Sequence, residues 1–352
     1  MKKIFKVLSS IILTIVLIFC AYILFMFATD YKPENAILIT TTNNKIDEIT
    51  KNKPFSIATF NIGYGGMDKY QDFFMDGGHG SRSISREKTL ENIKNIGEFL
   101  LKQNADIILF QEVDKKSTRS NNINQVEYFS NNFSKYSSSF AINYKVPWVF
   151  VPLYKPHGKV ESGLLTLSKY SIASATRYQY PGREDYPRQL FDLDRCFLET
   201  RMPVDGGGEL VLINSHLSAF DKGGKIRKQQ LSFLKGYIEK EYDQGNYVIV
   251  GGDWNHNLPG TDPNVFKTEQ SSPDWLQTLP KDFTPTGFKW AVDSSVPSNR
   301  TADVPYKKGV NFLSIIDGYL VSPNVDIKLV KGHSLDFEYT DHNPVTAEFI
   351  LK

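Results

Sequence analysis

From residue 55 onward, short apolar runs alternate with longer amphipathic stretches, and the chain opens with one apolar block that carries no charge. The runs 55–62, 106–112, 163–168, 196–202, 209–216, 247–253, 313–321 and 344–351 are short and mostly β-rich, which predicts strands. Residues 89–103 set Leu90, Ile93, Ile96 and Leu100 at helical spacing. Residues 226–242 do the same with Phe233, Leu234, Tyr237 and Ile238, ending near Gly245. Strands interleaved with helices predict an α/β body, and no repeat or Gly-Pro-Ser linker divides it, so 54–352 reads as one domain.

The opening block has a different character. After Lys2, Lys3 and Lys6, residues 7–28 are uncharged; as a helix they would rise roughly 33 Å, enough for a hydrocarbon core of about 30 Å. The basic flank 1–6 predicts a cytoplasmic start, hence a single-pass signal anchor in the cell membrane with the body outside. A cleaved secretory signal is the alternative. Against it, the run exceeds the usual ~7–15 residues, and Phe25-Met26-Phe27-Ala28 lacks a small-x-small cleavage pattern. Cys20 follows the bulky Phe19, which argues against lipidation. Residues 29–53 read as a spacer whose short apolar run, 36–39, predicts an edge strand.

Charge narrows the choice of partner. Of 41 basic and 39 acidic residues, seven Lys and four acidic residues fall within 1–53, leaving 34 against 35 in the body. A protein that tracks DNA without sequence preference draws its affinity from phosphate neutralisation and carries a basic excess, so this balance leans away from nucleic acid. Two cysteines exclude a disulfide framework and Cys-rich zinc sites.

Candidate chemistry gathers where strand-like runs end. Glu112 leaves a buried run, where a carboxylate is costly unless paired or metal-bound; a surface ion pair is the plainer reading. Asn61 is either a neutral oxygen ligand or a turn residue. His216 ends its run and could donate to a phosphoryl oxygen, or could merely satisfy local hydrogen bonds. Asp253 follows Gly251-Gly252, which lets backbone come close, and Asn255 lies two positions on. A carboxylate there could deprotonate water, although an Asx turn also explains it. Asp341-His342 precede Pro344 and a closing strand, and the buried Asp317 is paired with His342 because an acid fixes a histidine's tautomer and stabilises its charged form.

Phe60-Asn61, Gln111-Glu112, Ser215-His216-Leu217, Gly252-Asp253-Trp254-Asn255, Ile316-Asp317-Gly318-Tyr319 and Asp341-His342-Asn343-Pro344-Val345 resemble, in order, the motifs of the endonuclease/exonuclease/phosphatase superfamily. That group includes pancreatic deoxyribonuclease, abasic-site endonucleases, inositol-polyphosphate 5-phosphatases and neutral sphingomyelinases. The resemblance spans 54–352 and implies a four-layer α/β (α+β) sandwich of two mixed sheets flanked by helices. It implies Mg²⁺, or Mn²⁺ in its place, held by Glu112 and Asn61 with Asp341 as a further ligand or supporting acid. Asp253 would activate water, Asn255 would position the phosphate, and His216 and His342 would stabilise the transition state, with Asp317 orienting His342. Glu161 falls where some members orient the other histidine. Arg195 matches a phosphate-contacting base or forms an ordinary ion pair.

The chain departs from the family pattern at Ile62-Gly63, where a second polar residue is common. It also inserts a Gly-rich stretch, 76–82, which reads as an anion nest with Arg82 or as a surface loop. The aromatic stretch 144–154 reads either as an exposed ledge for lipid or base, or as packing. The expectation is a Mg²⁺-dependent phosphoester hydrolase acting on a lipid or small phosphorylated substrate at the outer membrane face. A surface nuclease is the alternative and a non-catalytic binding module the second; no protein partner is indicated.

Overall fold

The computed structural model describes residues 1–352, apart from the side chain of Lys222. Its helices are α1 (Lys2–Ala28), α2 (Arg86–Gln103), α3 (Gln125–Asn132) and α4 (Lys225–Asp243). The sheet strands are β1 (Ala36–Leu38), β2 (Pro54–Asn61), β3 (Ile107–Asp114), β4 (Ser137–Val149), β5 (Gly158–Ser168), β6 (Ser174–Gln179) and β7 (Cys196–Pro203). They continue with β8 (Glu209–His216), β9 (Tyr247–Asp253), β10 (Lys289–Ala291), β11 (Asp317–Val321), β12 (Val325–Gly332) and β13 (Val345–Leu351).

Strand alternation builds the layers. In β3, Ile107 and Leu109 join a core shared with Leu198, Leu212 and Ile249 of the other sheet, while Ile108 and Phe110 face the opposite way onto Ile93, Ile96 and Phe129 of α2 and α3. In β9, Ile249 enters the central core, and Val248 and Val250 meet Leu231, Leu234 and Ile238 of α4. Two mixed sheets, ordered β1-β6-β7-β8-β9-β11-β10 and β12-β13-β2-β3-β5-β4, are therefore packed face to face with helices outside. The expected α+β sandwich is the fold observed.

Two parallel pairs set the position of the site. β2 runs parallel to β3 across α2, and β8 parallel to β9 across α4, so four C-terminal strand ends meet at one edge of the sandwich. A polar clasp ties the sheets together there: Gln111 Nε2 donates to Asn214 Oδ1 at 2.8 Å, and Asn214 Nδ2 donates to the carbonyls of Phe110 and Leu165. Ser85 caps α2 by accepting from Lys88 N, and Asn104 ends it in the left-handed region.

α1 is the one helix, among the described residues, long and apolar enough to cross a membrane. The segment after it is more than a spacer. β1 pairs antiparallel with β6, Thr42 bridges to Ser138, and Ile49 is buried beside Val204. Apolar Ile49 gains more by joining the central core than a free linker would allow.

Candidate active site

Asn61 ends the parallel pair of one sheet opposite Gln111, with Glu112 the next residue of β3, and His216 and Asp253 end the parallel pair of the other. Asp317 opens β11 as the direct cross-strand partner of Asp253, and His342 enters from the turn before β13. The backbone is strained to deliver two of these groups. Glu112 has φ +56 where β3 slips register between Phe110 and Val113, a bulge that turns its carboxylate out of the sheet's alternation. Gly252 has φ +141, and a Cβ there would lie 2.0 Å from the Ser215 carbonyl, so only glycine allows this approach just before Asp253.

Asp253 is the hub. Its Oδ2 lies 3.0 Å from Asn61 Nδ2, 3.3 Å from His216 Nε2 and 3.7 Å from His342 Nε2, while Oδ1 accepts from Asn255 N at 2.9 Å. His342 Nδ1 sits 2.8 Å from Asp317 Oδ2. Burial, then the Asp317 carboxylate, push the Asp253 acid up against the pull of His342 and the N–H donors. Burial opposes charging His342, but Asp317 first, then Asp253 and Asp341, outweigh it and raise the imidazolium to about 10. His216 goes the other way: burial and the charges of Arg195, His342 and Arg119 keep it neutral. With His342 charged, both ring nitrogens donate. The Asn299 amide lies 3.1 Å from His342 Nε2.

A cavity of about 260 Å³ opens beside this hub. Glu112, Asp341, Arg119 and Arg195 line it together with an apolar wall that includes Phe73, Phe74, Val149, Val151 and Phe191, whereas His216, Asp253, Asp317 and His342 are buried behind that lining. Arg119, unforeseen from the sequence, is fixed by Asp114 at 3.0 Å, lies 4.1 Å from the Tyr64 ring centroid and comes within 3.7 Å of Glu112. Arg195 has an Nη1 with no protein partner among the described residues.

The fit to a divalent cation follows from these donors. Glu112 and Asp341 bring hard carboxylate oxygens to one cavity; burial, opposed by Arg119 and reinforced by the Asp341 charge, raises the Glu112 acid, and a cation would favour its ionised form. Asn61 directs its Nδ2 at both Asp253 and Glu112, so its oxygen, which accepts from Gly63 N, reaches a cation only if the amide turns over. Asp253, Asp317 and His342 also form a compact group with possible ligand atoms. That group suits a metal poorly, because the hub oxygen already faces three nitrogens and His342 Nδ1 is held by Asp317.

One expectation changes. Glu161 does not orient His216; its carboxylate lies near Lys115 and Lys159, at 4.0 and 3.9 Å, and His216 Nδ1 has no partner among the described residues. Asn255 uses one amide hydrogen on the Leu217 carbonyl at 2.7 Å, leaving its second hydrogen for any ligand. The Gly-rich stretch folds onto Asp72 and Pro156 rather than lining the cavity, and Ser81 within it is buried.

The sequence profile of the Endonuclease/Exonuclease/phosphatase family matches residues 58–305. The chain belongs to this family. It is therefore a hydrolytic phosphoesterase of a group that depends on a divalent metal. No curated protein sequence matches it. Among solved structures, an endonuclease/exonuclease/phosphatase from Beutenbergia cavernae DSM 12333 superposes with TM-score 0.58 at 16% identity, covering 85% of this chain and 72% of that one. One from Bacteroides vulgatus gives 0.52 at 18%, covering 86% and 100%. D. rerio TDP2 complexed with single strand DNA product gives 0.53 at 15%, covering 85% and 99%. These likenesses establish the family fold. The matched residues stop short of Asp317, Asp341 and His342, which chain folding alone carries to the same edge.

Proposed function

We propose that this chain is a membrane-tethered, Mg²⁺-dependent phosphoesterase that cleaves a lipid or small phosphorylated substrate on the outer side of the membrane, with Mn²⁺ able to replace Mg²⁺. The observation that carries this reading is the ordered chain of partners Asp317–His342–Asp253, buried behind a cavity that Glu112, Asp341, Arg119 and Arg195 line. When bound, the cation supplies charge to a phosphoryl oxygen, held by Glu112 and Asp341 with Asn61 beside them. Asp253, its acid raised by burial and by the Asp317 carboxylate, takes a proton from the attacking water. The water oxygen bonds to phosphorus, the bond to the leaving oxygen breaks in line, and that oxygen departs with the electron pair. Imidazolium His342 and the guanidinium groups of Arg119 and Arg195 face the charge that builds on the phosphoryl oxygens, while neutral His216 and the remaining Asn255 hydrogen orient the group. Asp317 keeps His342 charged.

For localisation, the uncharged run 7–28 of α1 with the basic start before it supports an anchor whose body lies outside. A nuclease is the second reading, favoured by the single strand DNA product bound to D. rerio TDP2 and opposed by the neutral charge balance of the body.

The test uses the full chain in detergent, with Mg²⁺ or EDTA, on phospholipid, inositol phosphates and plasmid DNA in parallel. Mg²⁺-dependent cleavage of phospholipid or inositol phosphate supports the first reading. Cleavage of DNA alone supports the second, and cleavage of none removes both.

A further inference from the structure

The far end of α1 is built into the body. Tyr22 Oη donates to the Trp148 carbonyl at 2.7 Å, and the Tyr22 ring stacks on Phe191 at 6.1 Å and meets Phe150 edge-on at 5.5 Å. Met26 is 1% exposed, in a cluster with Tyr144, Val146, Val149, Val160 and Leu190 against which Phe191 and Leu193 pack. Tyr144, Val149, Phe191 and Leu193 also line the cavity over Glu112. The anchor helix thus backs one wall of the active-site cavity.

Its depth in a bilayer follows from its length. The uncharged run starts at Val7, and a hydrocarbon core of about 30 Å takes about 20 residues at 1.5 Å each, which ends the crossing near Met26. Tyr22 then lies within roughly 6 Å of the water boundary, and the rings that pack on it occupy the level where Trp and Tyr concentrate in membrane proteins. At that contact the body exposes Trp148 (41%) and Tyr186 (48%), the latter stacked on Phe27, and the loop that continues from Trp148 exposes Leu153 (79%) and Tyr154 (69%). Exposed apolar side chains grouped at the foot of a spanning helix are a surface that lipid covers.

We infer that α1 and this rim hold the cavity mouth against the lipid headgroups, so that the site takes a phosphodiester carried by a phospholipid of the adjoining leaflet. The inference rests on the hydrolase reading and narrows its substrate. The cavity has the character of an amphiphile's site, with an apolar wall of Phe73, Phe74, Val151 and Phe191 leading to the Arg119 and Arg195 guanidinium groups.

The experiment places the full chain in vesicles of phosphatidylcholine, phosphatidylethanolamine and phosphatidylglycerol with Mg²⁺. It follows headgroup release beside hydrolysis of the soluble diester bis(p-nitrophenyl) phosphate. Leu153 does not line the cavity, so Leu153→Asp is expected to lower phospholipid hydrolysis about tenfold and leave the soluble diester rate within about twofold of the parent. Trp148→Ala is expected to move the two rates in the same way, which covers a failure of the first variant to fold. Soluble diester turnover with intact vesicle phospholipid overturns the inference and leaves the hydrolase reading standing. Equal loss of both rates in folded variants, or no loss of either, also overturns the inference. Turnover of neither substrate by the parent sinks the hydrolase reading itself.

Discussion

One carboxylate oxygen, Asp253 Oδ2, has three nitrogens within 3.7 Å, and the charge states around it differ: His342 is held as a cation by Asp317, while His216 is kept neutral by burial. Asp317→Asn keeps the shape and removes the charge that holds the His342 proton. It is expected to lower kcat about a hundredfold with little change in KM, as steady-state kinetics on a soluble diester will report. Arg119→Lys loses the planar fork that Asp114 fixes and is expected to lower kcat more than it raises KM. At this scale the sequence was most readable where a residue terminates or opens a strand, as with Asp253 and Asp317. Arg119 follows Lys115 and Lys116 in a turn where nothing marks one cation as special, and Asn299 sits on a two-residue strand without a pattern. Glu161 misled because strand alternation turns it toward Lys115 and Lys159, away from His216.

The elements explain why these side chains converge. The parallel pairs β2–β3 and β8–β9 put four chain ends on one edge, and close approach at Gly252 lets Asp253 enter the hub. Gly252→Ala is expected to cost about 3 kcal/mol, since it forces a Cβ onto the Ser215 carbonyl at a φ that other residues avoid. Gly206→Ala, with φ +81 but open space, is expected to cost only about 1 kcal/mol; denaturant midpoints compare the two. Both long helices and the central strands were legible from periodicity. β4 was not, because Ser137-Ser138-Ser139 and Asn143 break the apolar pattern of a strand held by its pairing with β5. β12 escaped for a similar reason, since its surface places Lys328 and Lys331 beside Ile327 and Val330. The short apolar run at 36–39 did show an edge strand, but only tertiary contact reveals that Ile49 is buried.

The whole molecule couples stability to pH through buried histidines away from the hub. Burial first, and then the Arg119 charge, lower His157 from the usual 6.5 to about 3. Below pH 6.5 the unfolded chain binds a proton that the folded chain refuses. The His157 contribution is therefore complete above about pH 6.5 and is lost as pH falls toward 3, by up to ~1.4 kcal/mol per unit. Chemical denaturation of the parent and His157→Gln from pH 7 to pH 4 should show the stability gap between them shrinking toward acid; a constant gap would contradict the burial argument. At the same scale, β1 and the contacts of Tyr22 and Met26 join the N-terminal segment to the body, so the full chain is the proper object for any assay.

The central claim, metal-dependent hydrolysis with Asp253 as the proton acceptor, is tested most directly by the turnover of bis(p-nitrophenyl) phosphate by the full chain and by Asp253→Ala and Glu112→Ala. The account predicts turnover that EDTA abolishes and Mg²⁺ restores, a loss of about a thousandfold in Asp253→Ala, and in Glu112→Ala a rate that recovers only at higher Mg²⁺. Turnover that ignores EDTA, or that survives unchanged in Asp253→Ala, would contradict it.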